Sequence, residues 1–350
     1  MRMRMCICAC SQMKIKSQRR LVQARYALLI GTTIGFMTAG PFATKATQTE
    51  ERTYAYEPIS VVFLAELLKL LFSIGAYWRL PGAKQTHGIL GHRDIAHYAV
   101  PAMVYCVNNV LLFFIVQHIQ PSAFQLLSQL KVIFTAVLVR LLLDRQLTIG
   151  HYLALLSLAL GAAVSRLSRL SAPSTPSEPP SVSTEWYGVV LTIVSCLASS
   201  IGGVLNEKVL KKDGALHSVH LANTVLYCYG VMLNGILLIA RCAVTERRNP
   251  FSCYNGFVVL LVLLTTVTGL AISFLLKWLD NLVRCLAHSC AMLLSMTVEA
   301  AVLATMPSPQ LLLAIGIVAV STAQYAREGP PLPCQTRRMV IVQEKEEESC

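Results

Sequence analysis

Ten long apolar runs constrain this chain more than any other feature of its sequence. They cover Tyr26–Ala43, Ile59–Leu80, Tyr98–Gln117, Ser122–Leu143, Ile149–Leu167, Tyr187–Val209, Val219–Arg241, Gly256–Trp278, Leu282–Thr305 and Pro309–Tyr325. Runs of roughly 18–25 residues are long enough, as helices, to cross the hydrocarbon core of a bilayer. Backbone in lipid must satisfy its own hydrogen bonds, which leaves helices or a closed barrel. These runs are continuous rather than alternating, so they predict an all-α polytopic membrane protein with ten transmembrane helices. Composition agrees: 55% of residues are hydrophobic and 14% charged, where soluble domains carry about a quarter charged residues. The first run follows a basic stretch, as a signal peptide would. Nine further runs behind it make it a retained helix.

The net charge of +12 raises nucleic-acid binding as a function, but its distribution excludes it. The loops alternate between two sides of the predicted bundle. The side of both termini holds 21 Lys and Arg, from Arg2, Arg4, Lys14 and Lys16 to Arg337, Arg338 and Lys345. The other side holds seven: Lys45, Arg52, Arg166, Arg169, Arg241, Arg247 and Arg248. Positive charge concentrates in cytosolic loops, so both termini are expected in the cytosol. That requires an even number of spans.

The Ser- and Pro-rich stretch SRLSAPSTPSEPPSVSTE reads as a lumenal linker over residues 168–186. It separates a first five-helix half, 26–167, from a second, 187–326. An odd number of helices per half makes the halves enter the membrane from opposite sides, the geometry of an inverted repeat with a site at the midplane. Residues 1–25 form a basic cytosolic tail. Residues 327–350, with Pro330, Pro331, Pro333 and the EKEEE run, are expected to be a disordered cytosolic tail. The 12 cysteines match no zinc spacing. Cys106, Cys196, Cys228, Cys285 and Cys290 fall within or at the edges of predicted helices as small apolar residues; Cys6, Cys8 and Cys10 are candidates for palmitoylation, and Cys242 with Cys253 for a lumenal pair.

Two of the 30 cations, Lys69 and Lys131, belong to no loop. A charge at the bilayer centre costs on the order of 3 kcal/mol or more, so each needs a partner or a polar cavity. Lys69 follows Glu66 by one helical turn, and the two form either a structural ion pair or a proton-coupled gate. Lys131 ends the stripe of Gln125, Ser128 and Gln129 in FQLLSQLK. It is either satisfied by a backbone carbonyl or Glu299, or it lines a cavity as a point charge suited to phosphate.

Tyr105, Asn108 and Asn109 in VYCVNNV either bond neighbouring helices or read a ligand. Asn223, Tyr227 and Tyr229 offer hydrogen bonds and an aromatic face. Arg284, in KWLDNLVR, is placed to pair locally with Asp280. Gly31 and Gly35 suit helix packing. Together these features describe a polar cavity for an anionic solute. No phosphate-cradling glycine loop, zincin motif or catalytic triad is apparent. The chain therefore reads as a transporter driven by a gradient or by exchange, not an enzyme, with no cofactor called for.

The segments FLAELLKLL, PAMVYCVNN, FQLLSQLKVIFTAVL, NEKVLKK, NTVLYCYG and LLKWLDNLVRCLAHSCAMLLS resemble the nucleotide-sugar transporter family. The branch is that of CMP-sialic acid and UDP-galactose transporters, closest to the plant-type CMP-sialic acid transporter-like proteins. The resemblance implies a drug/metabolite transporter-like fold in the Golgi membrane. It implies exchange of a cytosolic pyrimidine nucleotide sugar for a lumenal nucleoside monophosphate. It assigns phosphate binding to Lys131 and to the position of Arg284, where the family has Lys. Phe124 stands where the family has a hydroxylated aromatic, Asn223 and Tyr227 match it, and Asn108, Asn109 and Val110 stand for its Q-N-N motif. These departures touch base and sugar recognition. The substrate-binding set is thus Lys131, Arg284, Asn108, Asn109, Tyr105, Phe124, Gln125, Gln129, Asn223 and Tyr227. The expected partners are nucleotide sugar, nucleoside monophosphate and membrane lipid, with a homodimer left open. Two other readings remain: a proton-coupled exporter using Glu66 or Glu299, and a non-transporting scaffold homologue.

Overall fold

The computed structural model describes residues 2–48, 54–79, 92–119, 124, 127–170, 182–212, 219–245, 249–302, 308–329 and 332–333. Among these residues the chain forms ten helices: α1 (Arg2–Ala46), α2 (Pro58–Arg79), α3 (His92–His118), α4 (Leu130–Leu142), α5 (Ile149–Leu170), α6 (Val182–Lys212), α7 (Val219–Thr245), α8 (Gly256–Trp278), α9 (Asn281–Val302) and α10 (Pro309–Glu328). Seven are long and apolar enough to cross a membrane: α2, α7, α8, α9, α10, and the Ala24–Ala46 and Trp186–Lys211 portions of α1 and α6. The apolar part of α5, Ile149–Val164, is shorter. Large apolar side chains such as Leu71, Phe72, Ile239 and Leu313 point outward, which in a soluble protein would be a liability and in a lipid-facing bundle is the norm.

Local signals explain several boundaries. Asn255 caps α8 by accepting from the Val258 amide at 3.0 Å. Ser308 caps α10, with Pro309 in its first turn, where a missing N–H costs nothing. Pro41 and Pro101 lie inside α1 and α3; membrane helices tolerate this when neighbours re-satisfy the freed carbonyls. The basic segment at residues 1–25 is helical from Arg2 and continuous with the first span. The proposed linker is shorter than its composition suggested, because α5 extends to Leu170 and α6 begins at Val182. Cys6, Cys8 and Cys10 have no described side chains, whereas Cys242 and Cys253 are both free thiols.

Helices from the first half of the chain pack mainly on helices from the second. Helix α1 lies on α8 and α9, α2 on α7 and α8, α3 on α6 and α7, α4 on α6 and α9, and α5 on α10. The largest apolar core joins α4, α5, α9 and α10 through residues such as Val139, Leu155, Leu158, Leu282, Leu293 and Ala314. A second core joins α3, α6, α7 and α8 around Tyr98, Leu210, Leu226, Tyr227 and Leu276.

The loops sort into two ends. At one, Asp144 turns the chain in the left-handed region (φ 54), which Asp tolerates. That turn leads into β1 (Arg145–Gln146), which pairs antiparallel with β2 (Leu332–Pro333). The start of the C-terminal tail is therefore tied down, contrary to the expectation of a wholly disordered 327–350; residues 334–350 lie outside the described residues. At the other end, Tyr56 bonds Thr47 at 3.0 Å and Ser60 bonds Tyr254 at 2.6 Å.

Candidate functional site

Two cavities with polar side chains on partly apolar walls lie side by side in the bundle. The first, of about 230 Å³, is lined by Asn108 from α3, Phe124, Ser128, Gln129 and Lys131 from the α4 region, Ser195, Cys196 and Ser199 from α6, and Cys285, His288 and Ser289 from α9. The second, of about 320 Å³, is lined by Glu66 and Lys69 from α2, Tyr105 and Asn109 from α3, Asn206 from α6, Tyr227 and Asn234 from α7, Ser273 from α8 and Arg284 from α9. The neighbours Asn108 and Asn109, and likewise Arg284 and Cys285, face different cavities because successive helix positions are turned about 100° apart.

The partition between the cavities depends on close helix contact. A Cβ at Gly203 of α6 would come within 2.9 Å of Arg284 Nη2 and 2.7 Å of Asn281 Nδ2, so glycine there lets α9 approach. Lys131 and Arg284, expected together, stand on the walls of different cavities but within electrostatic range of each other. No carboxylate stands among the described residues lining the Lys131 cavity. The suggested Lys131–Glu299 pairing does not form: Glu299 pairs with Lys45 at 3.1 Å instead. The backbone carbonyl of Lys131 accepts from Ser200 Oγ at 3.1 Å, which pins α4 to α6 beside the cavity.

Lys69 and Glu66 form the pair their spacing suggested, at 2.6 Å. Lys69 also lies over the Tyr227 ring, 4.7 Å from its centroid, a cation–π contact strengthened by desolvation. A Cβ at Gly269 would fall 2.9 Å from Lys69 Cδ, so this glycine gives the lysine its room. Asp280 does not pair with Arg284. Its carboxylate accepts from the Val283 amide at 2.8 Å and caps α9.

The remaining residues of the expected set divide. Tyr105, Asn109 and Tyr227 line the second cavity; Asn108, Phe124 and Gln129 line the first. Asn108 Oδ1 accepts from Ser195 Oγ at 2.8 Å, and Gln129 Nε2 reaches Met292 Sδ at 3.5 Å. Asn223 is fully buried, accepting from Ser273 Oγ at 2.5 Å, so Ser273 rather than Asn223 meets the cavity. Gln125 lies outside the described residues. Sequence reasoning overlooked Ser195, Ser199, Asn206, Asn234 and His288. The spacing of 195, 199 and 206 along α6 was a usable helical signal. Among the described residues, Asn206 Oδ1, Asn234 Oδ1 and Arg284 Nη2 are buried without a hydrogen-bond partner. Leaving such groups unmade costs about 1–3 kcal/mol each, so this wall is chemically prepared for a polar solute.

A helical bundle with a lipid-type apolar exterior and polar groups on the walls of internal cavities fits a membrane transporter. Residues 24–326 match the nucleotide-sugar transporter family, and the chain belongs to that family. It is 30% identical to CMP-sialic acid transporter 1 of Oryza sativa subsp. japonica, over 78% of this chain and 85% of that protein. It is 27% identical to CMP-sialic acid transporter 1 of Arabidopsis thaliana, over 83% of this chain and 90% of the relative. A solved crystal structure shares the fold with a TM-score of 0.59 at 16% identity, covering 86% of this chain and 96% of that one.

Proposed function

We propose that the protein exchanges a cytosolic pyrimidine nucleotide sugar, CMP-sialic acid-like or a UDP-sugar, for a lumenal nucleoside monophosphate. The reading sets it in the Golgi membrane with both termini in the cytosol. One observation carries it: Lys131 lines a hydroxyl-rich cavity whose described lining holds no carboxylate, a setting suited to phosphate. Arg284, within electrostatic range, supplies the second positive charge. Tyr105, Asn109 and Tyr227 border the adjoining cavity and would meet base and sugar. Small-molecule sites commonly measure about 300–1,000 Å³, so the smaller cavity alone is tight for a nucleotide sugar, which would span both. The names of the relatives as CMP-sialic acid transporters favour this substrate class.

The helix pairing supports two inverted five-helix halves. Exchanging each helix for the one five places along turns the contact of α3 with α6 into α8 with α1. It also turns α4 with α6 into α9 with α1, and α3 with α7 into α8 with α2, all of which occur.

The test is counterflow. In proteoliposomes preloaded with CMP or UMP, labelled nucleotide sugars should accumulate by exchange; absence of counterflow with every pyrimidine nucleotide from correctly folded protein defeats the proposal. Lys131→Ala should abolish exchange while leaving the protein folded.

A further inference from the structure

Asn234 is absent from the expected site set, yet it lines the second cavity from α7 with 5% of its surface exposed. An asparagine in a membrane helix ordinarily bonds a neighbouring helix. This one spends its amide nitrogen on its own backbone, where Nδ2 donates to the Gly230 carbonyl at 2.8 Å. That bond fixes the orientation of the amide, so Oδ1 can only accept. Among the described residues Oδ1 finds no hydrogen-bond partner. We propose that Asn234 is a specificity-determining residue that reads a hydroxyl of the transported sugar, with Glu66 as a second acceptor beside it. The inference rests on the nucleotide-sugar reading above and assigns the sugar to this end of the second cavity.

Gly230 brings the two acceptors together. It lies one turn before Asn234 on α7, and a Cβ there would come within 2.9 Å of Glu66 Oε2. Lys69 bonds the other carboxylate oxygen, Oε1, at 2.6 Å, which leaves Oε2 against α7. Glu66 and Asn234 both line the same cavity. A carboxylate and an amide oxygen on one wall call for donors, and hydroxyls are the donors a sugar presents. Hydrogen bonds from O–H to a carboxylate are among the stronger ones.

A pyrimidine base fits this end less well. Lys69 covers one face of the Tyr227 ring, 4.7 Å from its centroid, so that face is closed to a stacked base. The phosphate stays with Lys131 on the wall of the first cavity, and the substrate then runs from Lys131 to Glu66 across both. A buried acceptor left unmade is costly, and a site built around a substrate hydroxyl rejects analogues that lack it for that reason. Asn234 thus selects among sugars, not among nucleotides.

The test compares Asn234→Thr with Asn234→Val, side chains of nearly equal shape. A threonine hydroxyl can donate to the carbonyl four residues back, as Thr224 does to His220 at 2.7 Å, and still offer its lone pairs; valine does neither. Calorimetry on the full chain in detergent gives affinities for UDP-galactose, UDP-glucose and CMP-sialic acid, each against its matching monophosphate, UMP or CMP. For the sugar nucleotide that wild type binds most tightly, N234V should lower the ratio of its affinity to that of the monophosphate by about tenfold. N234T should restore the ratio. Removing an unpartnered buried acceptor relieves a desolvation cost, so N234V without ligand should melt no lower than wild type; a markedly lower melting temperature makes the oxygen structural and overturns the proposal. An unchanged ratio, including one in which sugar nucleotide and monophosphate weaken equally, overturns the sugar-reading role, as does a ratio that falls as far in N234T as in N234V. Each of these leaves the nucleotide-sugar reading standing. Failure of every nucleotide in the panel to bind wild type overturns both.

Discussion

Arg145 Nη2, in the α4–α5 turn, meets Glu207 of α6 at 3.1 Å, with the Glu207 side chain wholly sealed from solvent. Glu207 also holds Lys211 at 2.8 Å and accepts from the Asn281 amide at 2.9 Å, while Lys211 donates to the Leu279 carbonyl. One carboxylate therefore ties together the α4–α5 turn, α6 and the start of α9. Removing one partner of a buried charge pair typically costs about 3–5 kcal/mol. Glu207→Ala should thus lower the melting temperature more than Arg145→Ala, because Arg145 and Lys211 remain partly exposed and can rehydrate. Thermal unfolding in detergent would check the order; equal or reversed effects would show that Glu207 is not the hub.

Asp280 sits beside this cluster, in the turn between α8 and α9. Burial raises its carboxyl above the ordinary 3.8, as Glu207 also does, while the Val283 amide, Lys211 and Arg145 act in the opposite direction without cancelling the rise. A raised acid contributes stability that is full below its unfolded value and is lost as pH climbs through the folded one. Asn can keep the helix cap without the charge. The melting temperature of Asp280→Asn relative to wild type should therefore increase as pH rises from about 4 and then level off. A constant difference from pH 4 to neutrality would rule this out.

The membrane helices were legible because continuous apolar runs report directly on a single helix in lipid. So was the Glu66–Lys69 pair, since its geometry lies within one turn. What depended on packing was hidden. The division of Lys131 and Arg284 between two cavities is set by how closely α6 and α9 approach at Gly203, and no local pattern encodes it. Glu299 turned to Lys45 rather than Lys131 because α1 lies against α9 at that end. Pairing of Leu332–Pro333 with Arg145–Gln146 is likewise long-range, and the tail's composition pointed the other way.

Lys69 is 8% exposed and engages both Glu66 and the Tyr227 ring. Changing Lys69 to Met strands a carboxylate in the bundle and should destabilise the protein by about 3 kcal/mol. The double variant Glu66→Gln with Lys69→Met should recover most of that loss, giving a large non-additive coupling in the cycle. Gly269→Ala should cost little stability, because the atoms it meets belong to the flexible end of Lys69, yet it should displace the ammonium from Tyr227. Stability from thermal melts, paired with exchange rates, separates the two effects. Additive losses from Glu66 and Lys69 would contradict a functional pair.

The tail contact makes a last prediction. Glu328 Oε2 accepts from Thr148 Oγ1 at 2.6 Å, the Gly329 carbonyl is 2.9 Å from His151 Nε2, and β2 covers β1. These bonds hold the turn that aims Arg145 at Glu207. A chain ending at Glu328 keeps the first bond and loses the others. Each lost hydrogen bond is worth about 1 kcal/mol, so losing two or more should quicken amide exchange across residues 145–151 by more than about tenfold. Amides near Val258, at the opposite end of the bundle, should not change. Because Arg145 reaches a carboxylate shared by α6 and α9, loosening the turn should also lower thermal stability more in wild type than in a Glu207→Ala background, where that link is already cut. Equal losses in both backgrounds would mean that the tail acts on the turn alone.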